Sequence, residues 1–184
     1  MEKFQNPKRI FFEKHFIYFL LYSIIGWIYE EYLELFVFKT GFSNRGVLVG
    51  PYLPVYGVGT LAFIFILYPL IKNKDFKRKI IMIPLIFILC MFIATSIELV
   101  TSYICEFFMG DWPWTYLEYP YNFEGRIALS ASIRFGLGGV AFLYILQPLY
   151  EKMLKKIGDK KVDLISKILI PIFLVDMIYS FFIK

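Results

Sequence analysis

Metal-ligating and redox-active side chains are scarce in this sequence. Its 184 residues include two cysteines, Cys90 and Cys105, and one histidine, His15. Both cysteines fall in one apolar run that predicts a helix, where fifteen residues at ~1.5 Å each would separate them by ~22 Å. That separation is too long for a disulfide. Because no Cys/His pair has zinc or haem spacing and no Walker-type loop occurs, we expect no metal, no cofactor and no nucleotide bound through that motif.

Charged residues are also few, whereas apolar residues are abundant. Asp, Glu, Lys and Arg make up 19% of the chain, against 59% hydrophobic and 21% aromatic residues, with a mean hydropathy of +0.62. Soluble domains are roughly 45–50% apolar, so the composition predicts an all-α integral membrane protein whose main partner is the lipid bilayer. The net charge of +5 comes from basic residues between apolar runs, which indicates a topology signal and no nucleic-acid binding.

Five apolar runs are long enough to cross a bilayer, which takes ~20 helical residues. We expect a single membrane domain over 1–184, with a basic cytoplasmic arm at 1–15, a four-helix core at 16–150 and a fifth helix at 164–183. The predicted spans are 16–38, 55–71, 80–105, 127–149 and 164–183, and the basic stretches 72–79 and 151–163 are predicted to be connecting loops.

Lysine and arginine are distributed unevenly among the segments that flank these spans. Fourteen of them lie in the N-terminal arm, the second connection and the fourth connection, which five spans place on one side. Only four lie on the other side. Because cytoplasmic loops carry the excess of basic residues, we expect a cytoplasmic N-terminus and a C-terminus outside.

The first outer connection, residues 41–54, is rich in glycine and proline. A regular helix is not expected to continue through the glycines and prolines here and just beyond, which are Gly46, Gly50, Gly57, Gly59, Pro51 and Pro54. Backbone polar groups close to lipid must be satisfied internally. We predict a partly re-entrant loop in which Asn44 and Arg45 contact a ligand. The alternative is an ordinary outer turn.

Ionisable residues lie toward the outer ends of the predicted spans. A charge near the bilayer centre costs ~2.5–3.5 kcal/mol on insertion scales, so such residues are functional candidates. We predict an acidic and basic cluster that lines a cavity in the outer half of the membrane. The alternative is that these groups only hold helices together. The candidate site residues are Glu30, Glu34, Asn44, Arg45, Glu98, Asn122 and Arg126.

A weak internal repeat accompanies these residues. The first two predicted spans enclose Asn44 and Arg45, and the next two enclose Asn122 and Arg126. Each pair of spans starts and ends inside. This arrangement is typical of a parallel repeat of the kind that some transporters have.

An ordered set of short motifs resembles a known family. From residue 16 to about 145, the chain is similar to the bacterial putative ABC transporter permeases, also described as CmpB-like or putative ABC-transporter type IV. Thr115 stands where the family pattern has an acid, and Phe135 where it has a tryptophan. The matching residues are Tyr22, Ser23, Gly26, Trp27 and Glu30; Asn44, Arg45, Gly46, Gly50 and Pro51; Pro54, Tyr56 and Gly57; Glu98, Thr101 and Ser102; Trp114 and Tyr116; Asn122, Gly125 and Arg126.

The resemblance implies a transporter permease subunit in the bacterial plasma membrane, working with a separate ATPase subunit. It would move a small or amphiphilic solute through the outer cavity, and it could form a homo-oligomer. One alternative is an intramembrane enzyme acting on lipid or lipid-linked substrates, with Glu30 and Glu98 as acid and base and Arg45 and Arg126 binding a phosphate. The other is a non-catalytic assembly or regulatory protein. We expect transport rather than catalysis.

Overall fold

The computed structural model describes residues 6–183, which are mainly helical. Helix α1, Pro7–Tyr32, continues without a break as a π-helix, Leu33–Phe38. The remaining elements, in chain order, are α2 (Pro54–Lys72, with a π-helical stretch at Phe63–Leu67), α3 (Phe76–Ile81), α4 (Ile83–Met109), β1 (Asn122–Phe123), β2 (Ile127–Ala128), α5 (Leu129–Ile157, with a π-helical stretch at Phe142–Leu146) and α6 (Asp159–Phe182).

Four of the described helices, α2, α4, α5 and α6, are long and apolar enough to cross a membrane. This confirms the predicted fold class, an all-α membrane protein. Helix α1 with its π-helical continuation is also long enough, but Glu30, Glu31 and several tyrosines lower its hydropathy. The first predicted span, 16–38, therefore stays a prediction, whereas the other four correspond to α2, α4, α5 and α6.

The predicted loop at 151–163 is wrong, because this stretch is helical except at one residue. Helix α5 extends to Ile157, and α6 begins at Asp159. Lysine, glutamate, leucine and methionine are all good helix formers, so a basic composition alone does not end a helix. The break falls at Gly158, whose φ of +81° favours glycine. In the predicted loop at 72–79, only residues 73–75 lie outside the helices, because α3 begins at Phe76.

The chain divides into two compact units. The first contains the residues up to Gly57 and from Leu149 onwards, and the second contains Val58–Pro148. The single membrane domain stays a prediction.

In the first unit, α1 and α6 lie side by side and run in the same direction. At their N-terminal ends, Lys14 Nζ lies 2.7 Å from Asp159 Oδ1. Further along, the rings of Phe19 and Phe173 meet edge to face at 5.4 Å between centroids. An ion pair between Lys14 and Asp159 and aromatic contacts further along therefore hold the N-terminal half of α1 against α6.

Between α1 and α2, residues 39–53 turn back along α1. Lys39, with φ +57°, adopts the left-handed conformation that ends the π-helix. The backbone N–H of Leu53 then donates to the carbonyl of Ser23 at 2.9 Å. Ser23 lies fifteen residues before Phe38, so the chain has descended by ~22 Å along the helix at ~1.5 Å per residue. Residues 39–53 therefore turn back along α1, and in this sense we call them the re-entrant segment; their place in the membrane stays a prediction.

The re-entrant segment is held by apolar side chains and by the close approach of α1 and α2. Leu48 and Tyr52 are buried against Leu20 and Phe173. At the start of α2, a Cβ on Gly57 would lie only 2.7 Å from the carbonyl oxygen of Phe19. Glycine at this position therefore lets the two helices touch backbone to backbone. The expectation that Gly57 and Gly59 would interrupt a regular helix is wrong, because both lie within α2, where glycine costs only about 1 kcal/mol relative to alanine.

In the second unit, α4 packs against α5 through small residues. A Cβ on Gly136 would crowd Phe87 and Met91. The hydroxyl of Thr95 donates to Ser132 Oγ at 2.7 Å across the same interface. The loop between these helices carries the short β1–β2 ladder, in which Asn122 faces Ala128.

Candidate functional site

The first unit contains a cluster of two carboxylates around Arg45, which we call the Arg45 cluster (Glu31, Glu34, Thr40 and Arg45). The backbone N–H of Arg45 donates to Glu31 Oε1 at 2.7 Å. Its guanidinium forms an ion pair with Glu34, which also accepts from the Thr40 hydroxyl. Glu31 and Glu34 are three positions apart and so share one helix face. One arginine thus joins two carboxylates from successive turns.

The backbone at the end of α1 explains why Arg45 meets these carboxylates. The π-helix ends at Phe38, and Lys39 turns the chain out of the helix axis. Asn44 (φ +43°) and Gly46 (φ +105°) flank Arg45 and turn the chain again. These positive φ values suit asparagine and glycine. The local sequence therefore folds Arg45 back over the last turns of α1.

Two buried polar atoms of the Arg45 cluster have no hydrogen-bond partner among the described residues. They are Glu31 Oε2 and Arg45 Nε. Glu31 as a whole is 4% exposed, whereas the Arg45 side chain is 37% exposed. Buried polar groups are nearly always satisfied. The cluster therefore contains one acceptor and one donor that the described residues leave unsatisfied, beside an arginine side chain that is partly exposed.

Two other predicted residues lie beside this cluster. The Tyr56 hydroxyl donates to Glu30 Oε1. Asn44 accepts from the indole N–H of Trp27 at 3.0 Å and donates to the Val49 carbonyl at 3.2 Å. Asn44 thus ties the re-entrant segment to α1 through Trp27 and makes a hydrogen bond within the segment to Val49.

The second unit contains a cluster around Arg126, which we call the Arg126 cluster (Ser102, Glu106, Glu124 and Arg126). Arg126 Nη2 lies 2.6 Å from Glu106 Oε2, and Nε lies 3.3 Å from Glu124 Oε2. Nη1 donates to Ser102 Oγ at 3.3 Å. Each of the three guanidinium nitrogens therefore has a polar partner, as the several donors of arginine allow.

Aromatic rings complete the surroundings of Arg126. The guanidinium carbon lies 4.1 Å from the Tyr103 ring centroid and 3.9 Å from that of Trp112. Burial acts to lower the pKa of Arg126, but the contact with Glu106 outweighs it, and the net shift is upward. Arg126 is thus a fixed cation.

Glu98 and Asn122 belong to the second unit as well. The hydroxyl of Tyr116 donates to Glu98 Oε1 at 2.8 Å, and Glu98 is buried. Asn122 donates to the Tyr119 carbonyl at 2.8 Å and accepts from the Gly125 N–H at 3.1 Å. The contacts of Asn122 therefore shape the loop that leads into Arg126.

The structure places the seven predicted residues in two groups. Glu30, Glu34, Asn44 and Arg45 lie in the first unit, and the other three lie in the second. Sequence reasoning paired the arginines with Glu30, Glu34 and Glu98. The structure pairs Arg45 with Glu34, whereas Arg126 pairs with Glu106 and Glu124, which were not singled out. A joint cavity stays a prediction.

Other residues were missed although the sequence carried a signal for some of them. Glu31 belongs to the same acidic patch as Glu30 and Glu34. Asp176 is an acid inside an apolar span, which is itself a functional signal, but it is absent from the predicted site. The partner hydroxyl of Tyr56 lies within a recognised motif, but no spacing rule links it to Glu30.

The comparisons with known proteins give one match. A family model described as putative ABC-transporter type IV matches residues 17–181. This range includes every residue of the Arg45 and Arg126 clusters. No curated protein and no solved structure matches the chain.

Proposed function

The chain belongs to the putative ABC-transporter type IV family, and on that premise we propose that it is the permease subunit of a transporter in the bacterial plasma membrane. In this proposal the Arg45 cluster receives the solute from outside, in the outer half of the membrane. A separate ATPase subunit would supply the energy from the cytoplasmic side.

The unpartnered atoms of the Arg45 cluster carry this proposal. Glu31 Oε2 and Arg45 Nε are buried and lack partners within residues 6–183. Leaving such atoms unsatisfied costs ~1–3 kcal/mol each. A solute group that accepts from Arg45 and donates to Glu31, such as a hydroxyl, would satisfy both at once. The partial exposure of Arg45 gives that group a way in.

The surroundings of the Arg45 cluster also suit transport. Arg45 and Thr40 lie on a segment without regular structure that turns back along α1, where they meet the carboxylates at the end of that helix. Discontinuous backbone beside a helix end is where many transporters place their substrate sites, because irregular backbone is tolerated where it lines a cavity. The same geometry leaves the solute in contact with both main-chain and side-chain groups.

The enzyme alternative gains no support from the Arg126 cluster. It requires an arginine that can bind a phosphate. The Arg126 guanidinium already contacts two carboxylates, one hydroxyl and two rings. These contacts suit a structural cation better than a phosphate ligand.

The proposal is tested by comparing the small molecules of cells with and without the gene. We expect one solute class to change in distribution between cells and medium, and the wild-type chain to restore it in an ATP-dependent manner. Arg45→Ala should fail to restore it at equal membrane abundance, because it removes the exposed donor of the cluster. Lys39→Asn is the matched control. It removes an exposed cation at the same helix end, and asparagine tolerates the left-handed backbone there.

The same experiment separates the alternatives. A change confined to membrane lipids, restored without ATP dependence, would favour the intramembrane enzyme. Full restoration by Arg45→Ala would remove the Arg45 cluster from the proposal.

A further inference from the structure

Asp176, in α6, is a hub of hydrogen bonds to the re-entrant segment. Its Oδ1 accepts from the Val49 N–H at 3.0 Å and from the Ser180 hydroxyl at 2.9 Å. Its Oδ2 accepts from the Gly50 N–H at 2.7 Å and from the Tyr52 hydroxyl. Three of the four donors come from a segment more than 120 positions earlier in the chain. One carboxylate thus fastens the re-entrant segment to the last helix.

This arrangement requires a carboxylate. The four groups that bond to the Asp176 side chain are all donors, and an ionised carboxylate can accept on both of its oxygens. An asparagine of the same shape would keep one acceptor and turn its NH₂ group toward two donors. Two successive backbone N–H groups that converge on one anion also form the kind of concave nest that binds negative charge.

The segment is shaped for this contact. A Cβ on Gly50 would overlap the ring of Tyr52. Burial raises the pKa of Tyr52, and the contact with Asp176 raises it further, so the phenol stays a donor. The glycine and the tyrosine therefore serve the same carboxylate, one through its missing side chain and one through its hydroxyl.

A short chain of contacts leads from Asp176 to Arg45. Asp176 fixes the N–H of Val49, and the carbonyl of Val49 accepts from Asn44. Asn44 is also held by Trp27. Its neighbour in sequence is Arg45, which meets Glu31 and Glu34. The four residues between Asn44 and Val49 thus form a loop that is closed by the hydrogen bond between these two residues and anchored at Val49 by Asp176.

We propose that Asp176 is the positioning residue of the Arg45 cluster. It acts through Val49, Gly50 and Asn44 to hold the Arg45 guanidinium against α1, and this role makes the last helix part of the site. Its role in solute binding rests on the proposed function, but the position of Arg45 can be measured without transport.

The test is the reactivity of each arginine toward phenylglyoxal in the purified full-length protein, read by mass spectrometry of the digested chain. In Asp176→Asn we expect Arg45 to react several times faster than in the wild type, because the loop no longer holds it against Glu34. The reactivity of Arg126 should not change. A general loosening of the fold would raise both rates, so the ratio reports local release.

Matched variants keep the test decisive. Ser180→Ala removes the hydrogen bond that the Asp176 side chain accepts within its own helix. It should leave the rate at which Arg45 reacts with phenylglyoxal as in the wild type. Tyr52→Phe removes a single donor from the loop and should raise the rate by a smaller factor, which decides the matter if Asp176→Asn fails to fold.

The proposal would be overturned if Arg45 reacted with phenylglyoxal at the wild-type rate in both Asp176→Asn and Tyr52→Phe. If the Arg45 rate rises as expected but no solute depends on Arg45 in cells, the positioning role stands and the transport proposal fails. The two ideas therefore have separate outcomes.

Discussion

Arg126 shows how the planar shape of a guanidinium lets a buried cation contact aromatic rings and carboxylates at the same time. Its guanidinium is flat, so the rings of Tyr103 and Trp112 can approach it while its edge donates to Glu106 and Glu124. An ammonium group is a compact, strongly hydrated charge and cannot fill both roles. The residue is therefore specified by geometry as well as by charge.

Arg126→Lys should consequently destabilise the protein even though it keeps the charge. We expect the midpoint of thermal unfolding to fall by several degrees, since stacking and part of the hydrogen bonding are lost. Tryptophan fluorescence is a suitable measurement because Trp112 contacts the substituted group. Arg78→Lys is the control, because the Arg78 side chain is largely exposed. Equal midpoints for the two variants would show that the planar fork is not needed.

At the residue scale, the sequence predicted which ionisable residues lie within apolar spans better than it predicted their hydrogen-bond partners. Glu30, Glu34 and Glu98 were identifiable because a carboxylate inside an apolar run is rare and costly. The partners of Arg126 were not, because Glu106 lies near a helix end and Glu124 in a loop, where charged residues are common. A hydroxyl such as that of Tyr56 carries no periodic signal at all.

At the scale of elements, the re-entrant segment and α2 depend on where side chains are missing. Gly57 lies where α2 meets α1, and a Cβ there would press on the backbone of Phe19. Gly59, two positions later in the same helix, has open space around its Cβ position. The two glycines therefore have different physical roles within one turn.

Substituting each of these glycines by alanine should have opposite effects. Gly57→Ala overpacks the contact with α1 and should lower the free energy of unfolding by roughly 1–3 kcal/mol. Gly59→Ala should raise it by roughly 0.5–1 kcal/mol, because alanine favours the helix and meets nothing. Unfolding of the purified variants in the same detergent measures both. A stabilising Gly57→Ala would contradict the close approach of the two helices.

The elements themselves were largely predictable. Apolar runs located the helices, and Pro54 marks the start of α2 because proline is favoured in the first helical turn. The glycine- and proline-rich composition indicated that residues 41–54 would leave regular structure. What composition could not give was the helical state of residues 151–157, where the helix propensity of Lys, Glu and Leu prevails over the expectation that charged stretches form loops.

At the scale of the whole molecule, each unit carries the same kinds of contact. Each contains a carboxylate that accepts from a tyrosine hydroxyl, Glu30 with Tyr56 and Glu98 with Tyr116. Each also contains an arginine paired with carboxylates. This correspondence supports the weak repeat seen in the sequence, although the spacing of Asn and Arg differs between the two loops.

The orientation of the chain in the membrane is the remaining large-scale prediction. The basic arm, the second connection and the fourth connection hold fourteen lysines and arginines, against four on the opposite side. The parallel packing of α1 and α6 supports this arrangement, because Lys14 of the arm pairs with Asp159 at the start of α6. Helices that run parallel begin at the same end, so the first turns of α1 lie near the residues around Gly158, as a shared cytoplasmic side would require.

Single cysteines test this orientation in intact cells, in a background where Cys90 and Cys105 are replaced by alanine. Cysteines at Lys77 and Lys156 should resist a membrane-impermeant thiol reagent, because the positive-inside rule places both in the cytoplasm. A cysteine at Glu118, in the exposed loop before β1, should react. Permeabilised cells provide the control, since all three positions are exposed and should react there. Labelling at Lys77 in intact cells would reverse the predicted orientation, and labelling at only one of Lys77 and Lys156 would require an odd number of spans between them.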